Sequence, residues 1–274
     1  MNIGNVGNSG LTNNIGKGNR QISKILERLA TAQRINRASD DAAGLSISEN
    51  LRAQFRGLQQ AGQNVSQGIN VLNIAEGAAG ETNNILQRQR ELALQSSNGT
   101  LNDQQRQALD LEYQALNQEL DRVANSTQFN GQNLLNGTDL AAPGGADLQV
   151  GPNPTDQLNV NFGNVTTAAL GMGGTSIATQ AGAQAALSAV DTAVNSVNTV
   201  RAGLGTSVNR LESALGTIAN QSVNTLGAEA TIRDQDMAEG MMDLIRERIL
   251  GQTQTRTASI YQNISRQTMN DLLG

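Results

Sequence analysis

Leu51, Leu58, Val65, Leu72, Ala79, Leu86 and Ala93 recur at every seventh position without a break, and no other feature constrains the fold of this chain as tightly. A strict seven-residue repeat of apolar side chains keeps one stripe of a helix facing a partner helix, the pattern of coiled-coil packing. Phe55 and Ile69 fill some of the alternate seam positions. The helix should begin near Ala42, where Ser39-Asp40-Asp41 offers capping oxygens and negative charge. Asn98-Gly99 supplies its stop, because both residues tolerate the left-handed conformation beyond a helix end. At about 1.5 Å per residue that helix spans roughly 80 Å. An elongated architecture follows.

A second seam lies in the last third of the chain. Leu187, Val190, Val194, Val197, Arg201, Leu204, Val208, Leu211, Leu215 and Ile218 advance by alternating steps of three and four, with one polar interruption. Neither stripe can stay in water, so the N- and C-terminal rods should lie antiparallel and close the seam between them. A final helix from about Ala230 carries Met237, Met241, Leu244, Ile245, Ile249 and Leu250. Its apolar face thins through Gly251–Ser259 and returns at Ile260, Ile264, Met269 and Leu272. Residues 1–20, rich in Gly and Asn, are poor helix material. From Gln21 onward Ile22, Ile25, Leu26 and Leu29 mark one helical face.

The middle of the chain differs. A shorter helix is expected with Asn102 or Asp103 as its cap, Leu109, Leu116, Leu120 and Val123 as its stripe, and Asn130-Gly131 as its end. Leu148 and Val150, then Leu158, Val160 and Phe162, alternate with period two around Pro152-Asn153-Pro154-Thr155-Asp156, which predicts a β-hairpin. Residues 163–182, loose and rich in Gly, Thr and Ala, connect onward. The fold class is therefore mainly α, an elongated antiparallel helical rod with a small β-hairpin in the middle.

Composition narrows the function. Aromatic residues make up 2% of the chain, too few to fill the centre of a globule but compatible with narrow helical seams. With no His and no Cys, the usual Zn and haem sites, thiol nucleophiles and the Ser-His-Asp triad are excluded. The only lysines are Lys17 and Lys24, and no residue constellation supports an enzyme or a cofactor. A net charge of -5 argues against nucleic acid as a partner. No stretch approaches the ~18 consecutive apolar residues of a membrane span, and the first twenty residues lack the apolar core of a signal peptide.

Gly10 through Lys17 hints at a phosphate loop, but five residues separate Gly10 from Gly16 where the motif has four, and Gly18 stands where Ser or Thr is needed. Asp234 and Asp236 read as a helix cap rather than metal ligands, and Met237, Met241 and Met242 as seam packing rather than a binding groove. Asn98-Gly-Thr and Asn136-Gly-Thr match glycosylation sequons, a match that Asn-Gly turns produce by chance.

Several blocks together carry a specific resemblance. Glu27-Arg28-Leu29, Arg34-Ile35-Asn36, Asp40-Asp41-Ala42-Ala43-Gly44-Leu45, Gln87 through Thr100, and Thr127-Gln128-Phe129-Asn130-Gly131 resemble the start of bacterial flagellins. Arg201 through Asn209 and Ile232-Arg233-Asp234-Gln235-Asp236-Met237-Ala238 resemble their C-terminal region. The blocks stand in the family's order and cover roughly residues 25–140 and 185–250 closely. A hook–filament junction protein shares such terminal helices, but the run from Asp40 to Leu45 is more like a filament flagellin. A signalling coiled coil, the rival from another class, is opposed by the β-hairpin and the Gly-rich connector.

The resemblance implies a subunit that polymerises with copies of itself into the extracellular flagellar filament, exported without a cleaved signal peptide. It implies terminal inner-layer helices at residues 1–40 and 228–274, and a helical rod domain at 41–140 and 183–227. The hairpin and connector at 141–182 then stand where most of the family inserts a variable outer domain. The expected seam residues are Leu51, Leu58, Val65, Leu72, Leu86, Val190, Val194, Val197, Leu204, Val208, Leu211 and Leu215. Implied partners are an export chaperone at the C-terminal region, filament cap and junction proteins, and Toll-like receptor 5. For that receptor the matching contact residues are Arg88 and Leu92, spaced i and i+4, with Glu112.

Overall fold

A computed structural model of the chain describes residues 3–142 and 144–273. Five helices carry it: α1 (Ile3–Thr31), α2 (Ala42–Ser96), α3 (Asp103–Ser126), α4 (Gln180–Arg233) and α5 (Met237–Leu273). Four short strands lie between α3 and α4, namely β1 (Gln128–Phe129), β2 (Gln132–Asn133), β3 (Ala146–Gln149) and β4 (Gln157–Val160). The chain divides into two compact units, one of Met1–Gln54 with Asn224–Gly274 and the other of Phe55–Val223.

Capping chemistry sets the helix starts. Asp41 accepts the Gly44 amide at 2.8 Å and so caps α2, whereas Asp40 accepts the amides of Asn36 and Arg37 and holds the preceding loop. Asn102 and Gln105 form a reciprocal capping box on α3. Asp236 accepts the amides of Ala238 and Glu239, so the acidic pair before the last helix does contain its cap. That helix begins at Met237, later than about Ala230, because α4 runs on to Arg233.

The first unit pairs α1 with α5 antiparallel. Leu29 packs over Gly240, and backbone bonds run from Gln235 N to Ala32 O and from Arg34 N to Arg233 O. This pairing corrects the reading of residues 1–20, since α1 is helical from Ile3 and not from about Gln21. Propensity is a weak prior, and packing along a partner helix overrides it. Ala32, at φ 55°, closes α1 in the left-handed conformation more often taken by Gly. The side chains of Met269 and Leu272, named as part of the apolar face of α5, lie outside the described residues.

In the second unit α2 and α4 run antiparallel and close the apolar seam. Leu58, Val65, Leu72, Ala79, Leu86 and Ala93 are all buried, as are Val190, Val197, Leu204 and Leu211 opposite. β3 pairs with β4 from Ala146↔Val160 to Gln149↔Gln157, so the expected hairpin forms, with Val150 and Phe162 just beyond its ends. It rests on α2 at Gly68, where an added Cβ would lie 2.3 Å from Leu148 Cδ2. A mid-helix Gly costs roughly 1 kcal/mol against Ala, and the close approach of the hairpin explains it here.

Two local expectations are corrected. Asn130-Gly131 does not end α3, which stops at Ser126; with φ of 51° and 79° it turns a second hairpin, β1–β2, as two-residue turns of this composition do. The segment 163–182 is not loose. Val165, Leu170, Met172 and Ile177 are buried in the same core as the helical seam.

Candidate assembly surface

The seam residues expected to drive assembly are consumed within one chain. Of the twelve, Leu51, Val194, Val208 and Leu215 are half-buried and the others fully buried. Ion pairs fix the register along the two helices of the second unit: Arg90–Asp191 at 2.7 Å and Arg201–Glu76 at 2.7 Å. In the first unit Arg52 pairs with Glu229 at 3.1 Å, and Arg233 with Glu49 at 2.7 Å. Arg201, the one polar seam position, thus sends its guanidinium sideways to a carboxylate. This stripe builds the subunit and is not what it offers to a neighbour.

Helix α3 staples the connector to the rod. Asp121 accepts from the Thr167 amide and hydroxyl, and Asp110 accepts from the Ile177 amide and the Ser176 hydroxyl. Tyr113 shares a hydrogen bond with the Thr175 hydroxyl. Burial, with the Asp110 carboxylate nearby, holds the Tyr113 hydroxyl above the usual phenol range, against that hydrogen bond. Arg106, itself buried, donates to the carbonyls of Ser96 and Leu101 and so seals the C-terminal end of α2. None of these acidic residues was a candidate in the sequence, because an Asp on a polar helix face gives no sign of what it will grip.

The three receptor-contact candidates part company. Arg88 and Glu112 meet on the surface at 2.8 Å, with Glu91 at 3.0 Å on the other side of the guanidinium. The hydrogen bond to Glu112, then that to Glu91, raises the Arg88 pKa and keeps it charged. Leu92 does not share their exposure: it is 1% exposed and belongs to the seam core. Four residues advance a helix by one turn and about 40°, enough to carry Leu92 over the seam edge. Apolar side chains that do face solvent nearby are Leu111, next to Glu112, and Leu94, which lies in an open groove of about 770 Å³ with Gln87, Arg90 and Leu101.

The first unit presents the contrasting surface. Met237, Met241, Ile245 and Ile249 follow one another at four-residue spacing along α5 and are 47, 48, 54 and 58% exposed, with Met242 at 63% beside them. Side chains at that spacing form a continuous ridge. Only Leu244 of this helix is buried as a large apolar residue among those described, so within one chain the methionines stand open and pack into no seam. Ile260, Tyr261 and Ile264 continue the exposed apolar surface further along α5, and Leu26 adds to it on α1. A soluble chain rarely leaves so many large apolar side chains uncovered on one helix without a partner for them. The segment Gly10–Lys17 lies inside α1, so its backbone amides form a helix rather than a cradle for phosphate. Among the described residues no helix is long and apolar enough to cross a membrane.

Comparison with known proteins gives one consistent result. Residues 5–139 match the bacterial flagellin N-terminal helical region, and residues 187–273 match the bacterial flagellin C-terminal helical region. A flagellin of Halalkalibacterium halodurans is 43% identical over 241 residues, 87% of each chain. The flagellar filament 30.7 kDa core protein of Treponema maltophilum is 39% identical over 259 residues, 90% of each chain. Among solved structures, the crystal structure of Bacillus cereus flagellin aligns with a TM-score of 0.51 at 31% identity, covering 61% of this chain and 94% of that one.

Proposed function

Because the chain belongs to the bacterial flagellins and is a structural subunit of the flagellar filament, we propose that the α5 ridge, together with α1, is the surface through which copies hold one another. The exposed row of Met237, Met241, Ile245 and Ile249 carries this reading. Identical subunits joined by heterologous contacts that do not close on themselves grow into a helical polymer. On this reading the second unit is a prefabricated rod, and the first unit completes its burial only in the filament. On the same reading the terminal segments 1–40 and 228–274 form the inner layer, 41–140 and 183–227 form the rod, and 141–182 are its hairpin and connector.

The same ridge needs cover before assembly. An export chaperone that takes the region from Asp234 onward into a groove would shield it, the usual way an amphipathic helix is bound. Export would proceed without a cleaved signal peptide, and the extracellular filament would meet its cap and junction proteins through the same terminal region. Recognition by Toll-like receptor 5 would centre on the paired Arg88 and Glu112, with Leu92 supporting them from beneath. Removing residues 1–35 or 235–274 tests the core of the proposal. Each truncation should abolish filaments in the electron microscope while the unit from Phe55 to Val223 stays folded. Normal polymerisation of either truncation contradicts it.

A further inference from the structure

Three of the chain's methionines stand together on the open surface of α5. Met237 and Met241 sit one turn apart and Met242 adjoins them, all roughly half exposed or more. Met172, by contrast, is 1% exposed in the rod core. Thioether sulfur is the most readily oxidised atom available here, since the chain has no Cys to react first. We propose that Met237, Met241 and Met242 form an oxidation site whose state decides whether a free subunit can polymerise. The proposal rests on the assembly reading above, in which this ridge is covered by neighbouring copies.

The chemistry balances with a peroxide as oxidant. The sulfur lone pair attacks the distal oxygen of hydrogen peroxide, the O–O bond breaks, and the sulfur is oxidised by two electrons to the sulfoxide. After proton transfer the other oxygen leaves as water. Each event replaces an apolar, pliable thioether with a polar S=O dipole that must keep its hydrogen bonds to solvent. Burying such a dipole against another apolar helix without a partner is unfavourable, and here up to three neighbours change together. The free subunit is therefore vulnerable and the filament protected: assembly covers the same sulfur atoms that oxidation would spoil. The carboxylates and cations near this stretch, Asp236 at the cap and Glu239, Asp243 and Arg246 on α5, lie at the surface and offer no barrier to a small neutral oxidant.

Full-length monomer is treated with dilute hydrogen peroxide, mapped by peptide mass spectrometry, and then seeded onto filament fragments. The three sulfoxides should form while Met172 remains reduced, and polymer yield should fall by about tenfold or more, the factor that roughly 1.4 kcal/mol per subunit produces. Methionine sulfoxide reductases should restore it. The variant Met237→Leu with Met241→Leu and Met242→Leu keeps side-chain volume, and should polymerise equally with and without peroxide. Preassembled filaments given the same dose should keep all three thioethers. Unchanged polymerisation of the oxidised wild type overturns the proposal, as does equal inhibition of the leucine variant or equal oxidation in filament and monomer. An untreated chain that forms no filament would instead overturn the assembly reading, and this proposal with it.

Discussion

The two units of this chain solve the burial of apolar helix faces in opposite ways. From Phe55 to Val223, α2 and α4 turn their stripes on each other, and the hairpin and connector fill the flanks until Leu58, Leu72, Leu204 and Leu211 see no solvent. In the terminal unit α1 and α5 also pair, yet the ridge from Met237 to Ile249 stays open. Helix α5 is about as rich in apolar residues as α2 and α4, so the openness of its ridge does not lie in composition. It lies in the number of faces that one chain can cover. Two seams from one chain close one rod, and a helix left with a single narrow partner must look outside for the rest.

The largest effect that can break this comparison comes from a pair of truncations, one in the rod core and one on the open ridge. Leu72→Ala should cost about 2–5 kcal/mol in monomer unfolding, as large-to-small changes in packed cores do. Ile249→Ala, at an exposed site, should stay within about 0.5 kcal/mol in the same urea titration. Polymer yield should respond to Ile249→Ala out of all proportion to that small change. Equal destabilisation by the two substitutions would erase the distinction.

Gly68→Ala asks whether the hairpin belongs to the self-sufficient unit. Its Cβ would enter the space of the Leu148 side chain, and the strain should exceed the helix-propensity gain to leave a net loss of about 1–2 kcal/mol. A stabilised variant would mean that the hairpin gives way easily and is not part of the packed rod.

In the terminal unit Ala32→Gly should act the other way. Ala32 holds φ at 55°, a left-handed conformation that costs an L-residue about 1 kcal/mol or more and Gly little. The unfolded chain gains freedom with Gly, so the net stabilisation should be a few tenths of a kcal/mol up to about 1. Thermal unfolding followed by circular dichroism reads it, and a lower midpoint contradicts it.

The smallest effect is electrostatic. Burial works to raise the pKa of Asp40, but the amides of Arg37 and Asn36, with Arg28 and Lys24 nearby, outweigh it and bring the net value below the ordinary one. A carboxylate depressed in the folded state contributes stability above its unfolded pKa of about 3.9, and that contribution is lost as pH falls further toward the folded value. The loop at 36–40 should therefore loosen only below about pH 4. NMR of the Asn36 and Arg37 amides across an acid titration checks this, and a transition centred above pH 5 would contradict it.

Much of the rod was legible in sequence because a buried helix stripe has a period. Leu51 to Ala93 and Leu187 to Ile218 announce both helices and their partnership, and the cap at Asp236 and the turn residues 152–156 follow from local chemistry. What lacked a period was missed. Val165, Leu170, Met172 and Ile177 are spaced irregularly among glycines, and their burial depends on Asp110 and Asp121 gripping the connector from another helix. The N-terminal half of α1 was hidden for the opposite reason, since its Gly and Asn content argues against the helix that α5 supports. On the candidate surface, the apolar positions of α5 were visible but their exposure was not. Leu92 was placed beside Arg88 by spacing alone, although a shift of about 40° takes it into the core.

Hydrogen exchange, compared between monomer and filament, tests the central claim most directly. Amides from Leu58 to Ala93 and from Val190 to Leu211 should be strongly protected in both states, because the rod buries its own seam. Amides from Met237 to Ile264 should exchange quickly in the monomer and become protected in the filament, because only neighbouring copies cover that helix. If α5 is as strongly protected in the monomer as α2, the terminal unit is already complete and its exposed ridge does not hold the filament together.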